Sequence, residues 1–480
     1  MRNMNRLTKN YIYNSAYQLL AVLIPLLTTP YLTRTLGTNS LGIDSYVLSV
    51  VQLAEVLGTL GTNTYANREI AYVRDDREKL TKTFLEIFLL RLVLCVLVVF
   101  VYVGIALRSE YRTVFLIQTV TLICYFFDIS WLFIGMEEMK PVVMRNTCVK
   151  LLVTACIFLF IREPDDLLRY VAITASGQLL GDLLMAWQGR RYLKIEGIGR
   201  LDIRRHIRPV LLLFLPQAAS SLYVLFDKTM LGLLSEQIDS VSLYDKAESL
   251  VKTPLVFATA MTSVLMPRIA NEFAAGHREK IKELVQGSID FMILVFLPVT
   301  LGMAVIAGRF VPWYLGEAYR ASILVARILS PVILAIALSN VSGTQFLVAT
   351  KETKVLTISY VAGALFNLTG NFLLIPLYNE RGAAVTTVCA EWLVTLIQLY
   401  VLQKRLGSLH LFRNNWKKLV AALAMLLLIV PMNRLTDSIW VVLLQIVSGG
   451  IFYFTLLLLL KEKRLIEALH KFCARRGVGE

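Results

Sequence analysis

Charge is what this 480-residue chain has least of: Asp, Glu, Lys and Arg make up 17% of it, where a soluble domain carries about 25%. Histidine is nearly missing, and His206, His277, His410 and His470 stand isolated in polar segments. The six cysteines (Cys95, Cys124, Cys148, Cys156, Cys389 and Cys473) fall mostly inside apolar runs and never as C-x-x-C. That spacing excludes a disulfide framework and a zinc site. No G-x-x-x-x-G-K-[ST] occurs, so the chain does not use ATP through a P-loop. Neither a metal nor a cofactor is expected.

What fills the chain instead is apolar sequence, 56% of all residues, with a mean hydropathy of +0.63. The charges sit in short segments between long apolar runs, and a bilayer-spanning helix needs about 20 such residues. Fourteen intervals qualify, at approximately 10–35, 42–66, 81–107, 113–135, 142–161, 167–188, 209–234, 241–266, 284–307, 322–348, 355–376, 382–403, 417–432 and 438–460. The fold class expected is an all-α polytopic membrane protein with about 14 transmembrane helices. The first run follows Arg2, Arg6 and Lys9 as in a signal peptide. It lacks a small-residue cleavage site and reads as a retained span. The net charge of +15 gathers at span ends rather than in one patch or arm, which excludes nucleic acid as a partner.

Lysine and arginine also orient the chain. Assigning alternate loops to one side places about 34 of the 49 Lys and Arg residues there, the excess expected of cytoplasmic loops. Their heaviest clusters share a side only if the number of spans is even and both termini are cytoplasmic. An internal repeat agrees. Arg68-Glu69-Ile70-Ala71 and Arg77-Glu78-Lys79-Leu80 recur as Pro267-Arg268-Ile269-Ala270 and Arg278-Glu279-Lys280-Ile281. Glu138-Met139-Lys140 recurs as Glu352-Thr353-Lys354, and Gln188-Gly189-Arg190 as Gln403-Lys404-Arg405. Six spans separate each pair, so the repeat relates two halves about an axis along the membrane normal, with a cavity expected between them. The expected organisation is an N-terminal lobe at 1–200, a C-terminal lobe at 201–406, and an unrepeated helix pair with its tail at 407–480.

Ionisable residues inside spans are costly unless paired or hydrated, which makes them functional candidates. Span eight carries Tyr244, Asp245, Lys246, Glu248 and Lys252. Asp245, Glu248 and Lys252 share a helical face, and Glu248 and Lys252 are spaced for an ion pair. Span seven adds Asp227 and Lys228, span two Asp44 and Glu55, span three Arg91, and span five Lys150, while Arg34 closes span one. Two readings stay open for several of these. Asp44 and Arg34 fit solvated interfacial positions equally well, and Arg91 and Lys150 have Asp290, Asp182 and Asp128 as available structural partners. Lys228, Lys246 and Lys252 exceed what local pairing requires, and point to a hydrated cationic cavity. Such a cavity suits an anionic cargo, since Lys and Arg hold phosphate oxygens by charge-assisted hydrogen bonds. The candidate substrate-binding set is therefore Arg34, Arg91, Lys150, Lys228, Lys246, Lys252 and Tyr244. Asp44, Glu55, Asp227 and Asp245 are candidates for ion coupling. Tyr46, Tyr223 and Tyr244 are candidates for stacking on sugar rings. Prolines within the spans, Pro25, Pro30, Pro216, Pro254 and Pro298, permit bends.

The segment Pro30-Tyr31-Leu32-Thr33-Arg34-Thr35-Leu36-Gly37, followed by Gly42 and Tyr46, resembles the first hairpin of bacterial Wzx-type polysaccharide flippases. So do Leu60-Gly61 leading to Arg68-Glu69-Ile70-Ala71, the stretch from Asp128 to Glu137, and Asn367 to Pro376 continuing into Gly382-Ala383-Ala384 and Glu391. The resemblance covers most of the chain and is weakest in the last two spans. It implies the multidrug/oligosaccharidyl-lipid/polysaccharide exporter fold, two six-helix lobes in a V around a central cavity. It also implies a final helix pair beside a lipid-facing groove. The implied activity is translocation of an undecaprenyl-diphosphate-linked oligosaccharide across the bacterial cytoplasmic membrane by a transporter, not an enzyme. Membrane lipids, a polysaccharide polymerase and a chain-length regulator are the implied partners. The competing readings are a drug or cation antiporter of the same superfamily, the lipid II flippase branch, and a membrane glycosyltransferase or polymerase. An antiporter is expected to centre on acidic and aromatic residues. The enzymes are expected to carry a long external loop with catalytic carboxylates, whereas the external loops here are short.

Overall fold

A bilayer core offers no water to an unpaired backbone group, so a chain this apolar has to satisfy its backbone within helices or a closed barrel. Helices are what form. The computed structural model describes residues 20–194, 199–407, 409, 415–436, 438–462 and 465–466, without the side chains of 212–213 and 215–224. Residues 10–19 of the expected first span, and the side chains of Pro216 and Tyr223, lie outside the described residues. No strand occurs among the described residues.

In chain order the helices are α1 (residues 20–35), α2 (Gly37–Thr59), α3 (Thr62–Val73), α4 (Arg77–Ala106), α5 (Arg112–Phe127), α6 (Ser130–Gly135), α7 (Met139–Phe160) and α8 (Leu167–Gly189). They continue as α9 (Arg204–Leu234), α10 (Asp239–Lys252), α11 (Val256–Ala274), α12 (Arg278–Leu315), α13 (Ser322–Leu329), α14 (Pro331–Ser339), a π-helical stretch (Asn340–Val348), α15 (Thr353–Leu406), α16 (Trp416–Ile429) and α17 (Ile439–Leu459). Ten helices or joined helices among the described residues are long and apolar enough to cross a membrane. The chain is a multi-pass membrane protein. Among the described residues the expected intervals fall mainly on helices, and several are jointed. The second is broken where Leu60 and Gly61 turn left-handed, and the fourth where Asp128 leaves the helix. α15 holds two expected spans, separated at Asn379 by non-helical backbone (φ 48°, ψ −128°).

Exposure is inverted relative to a soluble protein. Phe100, Leu427, Trp440 and Leu459 are exposed on span surfaces, while Gln345, Asn367, Asn371 and Gln398 are wholly buried. Large apolar side chains left exposed along the spans suit lipid as the solvent.

The helices pack as two compact units. The first comprises Met1–Leu233 with Gln237–Ser242, and the second Leu234–Glu236 with Leu243–Glu480. The core of the first gathers Tyr65, Ile70, Phe84, Trp131 and Phe133. In the second, Ala421, Ala422 and Met425 of α16 and Tyr453 and Leu457 of α17 pack with Leu294 of α12.

The sequence repeat has a physical counterpart, a clasp built once in each unit. In the first, Arg77 at the start of α4 donates to the Arg191 carbonyl at 2.6 Å, and the Arg191 guanidinium meets Glu138 at 2.8 Å. In the second, Arg278 at the start of α12 donates to the Arg405 carbonyl, and the Arg405 guanidinium meets Glu352 at 2.9 Å. The turns preceding the two glutamates also match. Glu137 and Lys351 are left-handed (φ 58° and 62°), and the Glu138 and Glu352 amides donate to the Phe133 and Leu347 carbonyls at 2.8 Å. The sequence alignment sets Arg190 opposite Arg405, whereas the geometry sets Arg191 there. The cause is local: α8 ends in a 3-10 turn over Arg190–Tyr192 while α15 runs on to Leu406.

Candidate functional site

In the first unit a network of buried charge is built where α5 breaks. Asp128 ends α5 in extended backbone and turns its carboxylate to the Ser130 amide and hydroxyl. Arg145 of α7 reaches it at 3.3 Å with one Nη, and with the other meets Asp182 of α8 at 2.8 Å. The Arg145 side chain is 8% exposed and Asp182 4%, while Asp128 is 25% exposed, so the triad is buried at its Asp182 end and reaches the surface at Asp128. Glycine makes room for it: a Cβ at Gly181 would stand 3.0 Å from Arg145 Cδ, and one at Gly177 would stand 2.2 Å from Val153. The spacing Gly-x-x-x-Gly thus lets α7 and α8 approach.

Arg91 of α4 lies in the same region, wholly buried. Its guanidinium donates to Asn63 Oδ1 at 2.6 Å and to the Tyr125 carbonyl, and it is within electrostatic reach of Glu55, Asp128 and Asp182. Glu55 is half-buried on α2. Lys150, one turn and a half beyond Arg145, reaches among the described residues the Ala21 carbonyl, at 3.4 Å. Of the anticipated partners, Asp128 and Asp182 are therefore bonded by Arg145, a residue the sequence reading passed over. Asp290 belongs to the second unit, where it takes hydrogen bonds from Gln286 and Asn415.

The other expected residues of this unit are dispersed. Asp44 is buried on α2 and accepts from Gln118 at 3.4 Å. Arg34 is exposed at the end of α1 and donates to the Pro30 carbonyl. Near the end of α9, Asp227 is buried and Lys228 half-buried, and the adjacent Thr229 hydroxyl meets Ser49 of α2 at 2.8 Å. His206 is not the isolated polar residue that its surroundings in the chain suggest. It is buried, with Nδ1 on the Tyr65 hydroxyl at 2.7 Å and Nε2 at Glu86 at 3.0 Å.

In the second unit α10 carries its charges as neighbours. Lys246 bonds Asp245 at 2.7 Å and Lys252 bonds Glu248 at 2.7 Å. Local pairing therefore accounts for more of the lysine than the sequence count implies, because adjacent side chains on this helix reach each other as well as the i, i+4 pair. The Tyr244 ring is buried and its hydroxyl meets Thr387 at 2.8 Å. Tyr46 is likewise buried, edge-on to Tyr111 and Phe115. Neither ring has an open face for a sugar; both are packing residues in this conformation. Lys418, at the edge of the expected span 417–432 and not singled out by the sequence, is wholly buried. Its ammonium meets Asn415 Oδ1 at 2.6 Å, the Asp290 carbonyl at 2.9 Å and Glu462 at 3.5 Å.

Two cavities stand out. One of about 290 Å³ lies between α7 and α8, lined by Arg145, Asn146, Lys150, Thr174 and Gln178 with small apolar residues. The other, about 350 Å³, is an apolar groove of the second unit formed by α12, α16 and α17, with Pro298, Met303, Gly449 and Tyr453 in its wall. No group of histidine, cysteine, aspartate and glutamate able to hold a metal occurs among the described residues.

Comparison with known proteins places this geometry. Residues 7–273, more than half of the chain, match the family model described as polysaccharide biosynthesis protein, and residues 213–373 match the model MatE. A protein of Escherichia coli (strain K12) named "Putative O-antigen transporter" is 26% identical over 410 residues, covering 83% of this chain and 97% of that protein. A Shigella dysenteriae protein of the same name is 22% identical over 384 residues, covering 78% and 95%. Among solved structures, lipid II flippase MurJ in an inward closed conformation superposes with a TM-score of 0.73 at 16% identity, covering 93% of this chain and 98% of that one. An inward-facing multidrug resistance MATE transporter gives 0.62 at 14% identity, covering 82% and 95%. At these identities the likeness establishes the fold.

Proposed function

Because the chain belongs to the polysaccharide biosynthesis protein family, we propose that it is a flippase for a lipid-linked oligosaccharide. In this reading it carries an undecaprenyl-diphosphate-linked repeat unit from the cytoplasmic to the outer leaflet by alternating access. The observation that carries the proposal is the near-complete span of the two relatives named for O-antigen transport, 97% and 95% of their lengths. The proposed setting is the bacterial cytoplasmic membrane, with fourteen spans and both termini cytoplasmic. The proposed lobes are 1–200 and 201–406, with the helix pair and tail at 407–480. A polysaccharide polymerase and a chain-length regulator are the proposed partners downstream.

The diphosphate head is assigned to the cationic residues Lys228, Lys246 and Lys252, with Arg34, Arg91 and Lys150 completing the set. Tyr244 enters as the residue that seats the lysine-bearing α10. Lys246 and Lys252 start from carboxylate partners, so an arriving diphosphate exchanges one anion for another rather than meeting a bare cation. Asp44, Glu55, Asp227 and Asp245 are the proposed ion-coupling residues. The apolar groove of α12, α16 and α17 supports the reading, since an isoprenoid tail needs apolar surface beside the final helix pair. An inside-negative potential assists export of an anion by roughly 2.3 kcal/mol per charge per 100 mV. The test is replacement of Lys246 and Lys252 together by glutamine. Surface polymer is expected to be lost at unchanged protein level, and full export by that variant removes both residues from the site.

A further inference from the structure

We propose that the polar pocket between α7 and α8 is a phosphoryl-anion site internal to the first unit, in which Arg145 and Lys150 hold a phosphate or diphosphate group. This rests on the reading of the chain as a carrier of a diphosphate-linked lipid and adds to it a pocket, and a residue, that the sequence did not single out. Lys150 stands eleven residues beyond the first residue of α7, about 17 Å along the helix, at a depth where an ammonium without a counter-ion costs several kcal/mol. Among the described residues its ammonium meets no carboxylate, only a backbone oxygen at 3.4 Å. An ammonium carries three N–H donors, and the described residues account for one of them. Arg145 is in the same position on one edge. Both Nη atoms are spent on Asp128 and Asp182, while Nε is buried with no acceptor among the described residues.

The two carboxylates do not share the pocket wall. Its polar lining is Arg145, Asn146, Lys150, Thr174 and Gln178, with no carboxylate among the lining residues; the Thr174 hydroxyl is engaged by the Val171 carbonyl and the Gln178 amide by Asp182. Across the whole cluster Arg91, Arg145 and Lys150 balance Glu55, Asp128 and Asp182 in formal charge, but the balance is uneven in space. Asp182 stands just behind the wall, where it accepts from Gln178 at 3.4 Å, while Lys150 lines the cavity itself. A tetrahedral oxyanion accepts from several donors at once, which a neutral sugar hydroxyl or a single halide does less well. The volume, about 290 Å³, holds a phosphate or diphosphate with accompanying water. Gly181 keeps the guanidinium stem in place, since a Cβ there would stand 3.0 Å from Arg145 Cδ.

The experiment uses the full chain in lipid nanodiscs and follows binding of farnesyl diphosphate by calorimetry, with inorganic diphosphate as competitor. Lys150→Gln is expected to weaken binding at least about tenfold, the effect of removing one charge-assisted hydrogen bond. Lys150→Arg is expected to retain most of the affinity, which separates loss of charge from loss of folding. Lys79→Gln, at an exposed pair with Asp76, is expected to change nothing. Competition by inorganic diphosphate assigns recognition to the head group. Loss of prenyl diphosphate binding in phosphatidylglycerol-rich discs, restored in phosphatidylcholine discs, assigns the same site to bilayer headgroups. Equal affinity of wild type and Lys150→Gln, or a wild type that binds no phosphoryl compound, overturns the site. That failure is distinct from failure of the flippase reading, which is decided by whether cells lacking the protein retain lipid-linked saccharide in the inner leaflet.

Discussion

Replacing Arg145 by methionine removes the guanidinium that bonds both Asp128 and Asp182, and the consequence follows from where those two acids lie. Asp182 is 4% exposed and 2.8 Å from its Nη, while Asp128 is 25% exposed and at 3.3 Å. Removing one member of a buried ion pair costs about 3–5 kcal/mol, because the remaining charge stays in a low dielectric without compensation. Asp182→Asn differs in kind. It keeps an amide oxygen for Arg145 and leaves Asp128 as its counter-ion, so it forfeits one charged hydrogen bond, about 1.5–3 kcal/mol. Arg145→Met is therefore expected to exceed Asp182→Asn by about 1.5–2 kcal/mol, from the difference of those two ranges. The triple variant Arg145→Met, Asp128→Asn, Asp182→Asn leaves no buried charge in the triad and is expected to regain much of the loss. Equilibrium unfolding in mixed micelles, followed by fluorescence of Trp131 and Trp187 in the same unit, measures all three. If Asp182→Asn costs as much as Arg145→Met, or if the triple variant regains nothing, the triad is not the uncompensated-charge device described here.

Further outcomes follow from other contacts. Gly382→Ala would set a methyl 2.3 Å from the Leu374 carbonyl oxygen; backbone there cannot turn aside, and a loss of about 1–3 kcal/mol is expected in the same unfolding assay. Glu138→Gln and Glu352→Gln strike equivalent positions of the two clasps, both with exposed arginines, and each is expected to cost less than about 1 kcal/mol. Faster amide exchange is expected at residues 190–194 for the first and 404–407 for the second, and effects on unrelated loops would contradict the equivalence. Asp166 accepts from the Arg162 and Glu163 amides at 2.8 and 3.0 Å, which with Arg169 hold its carboxyl below the usual carboxylate range. Its contribution is thus present above about pH 4 and lost as pH falls through the lowered folded value. The stability difference between wild type and Asp166→Asn is expected to be constant from neutral pH to about 5 and to shrink below about 4. A difference that grows on acidification refutes the assignment.

Span positions were legible because they depend on composition and length alone. The long apolar runs and the charged punctuation between them carry that information without reference to neighbours. The clasp was half legible: its residues repeat in the sequence, but the pairing of Arg191 rather than Arg190 depends on a 3-10 turn that no residue type announces. Buried charge was the least legible part. Arg145 sits seven residues into α7 among polar neighbours and reads as an interfacial residue, and only the approach of α8 across Gly177 and Gly181 encloses it. That Gly-x-x-x-Gly facing a helix with an arginine is the signal from which it was recoverable. Lys418 escapes notice for the same reason, since its burial is set by Asp290 of α12 and by Glu462, distant in sequence. Tyr46 and Tyr244 mislead in the opposite sense, because a tyrosine near a span end looks identical whether its ring meets lipid, a sugar or the core.

The flippase reading is tested most directly by deleting the gene in its host and measuring lipid-linked saccharides of the cytoplasmic leaflet, with complementation by wild type and by the Lys246 and Lys252 glutamine variant. Accumulation of an undecaprenyl-diphosphate oligosaccharide with loss of surface polymer, reversed by wild type and not by the variant, is the result expected. Unchanged lipid-linked saccharides together with reduced efflux of a cationic dye would contradict it and make the chain an antiporter.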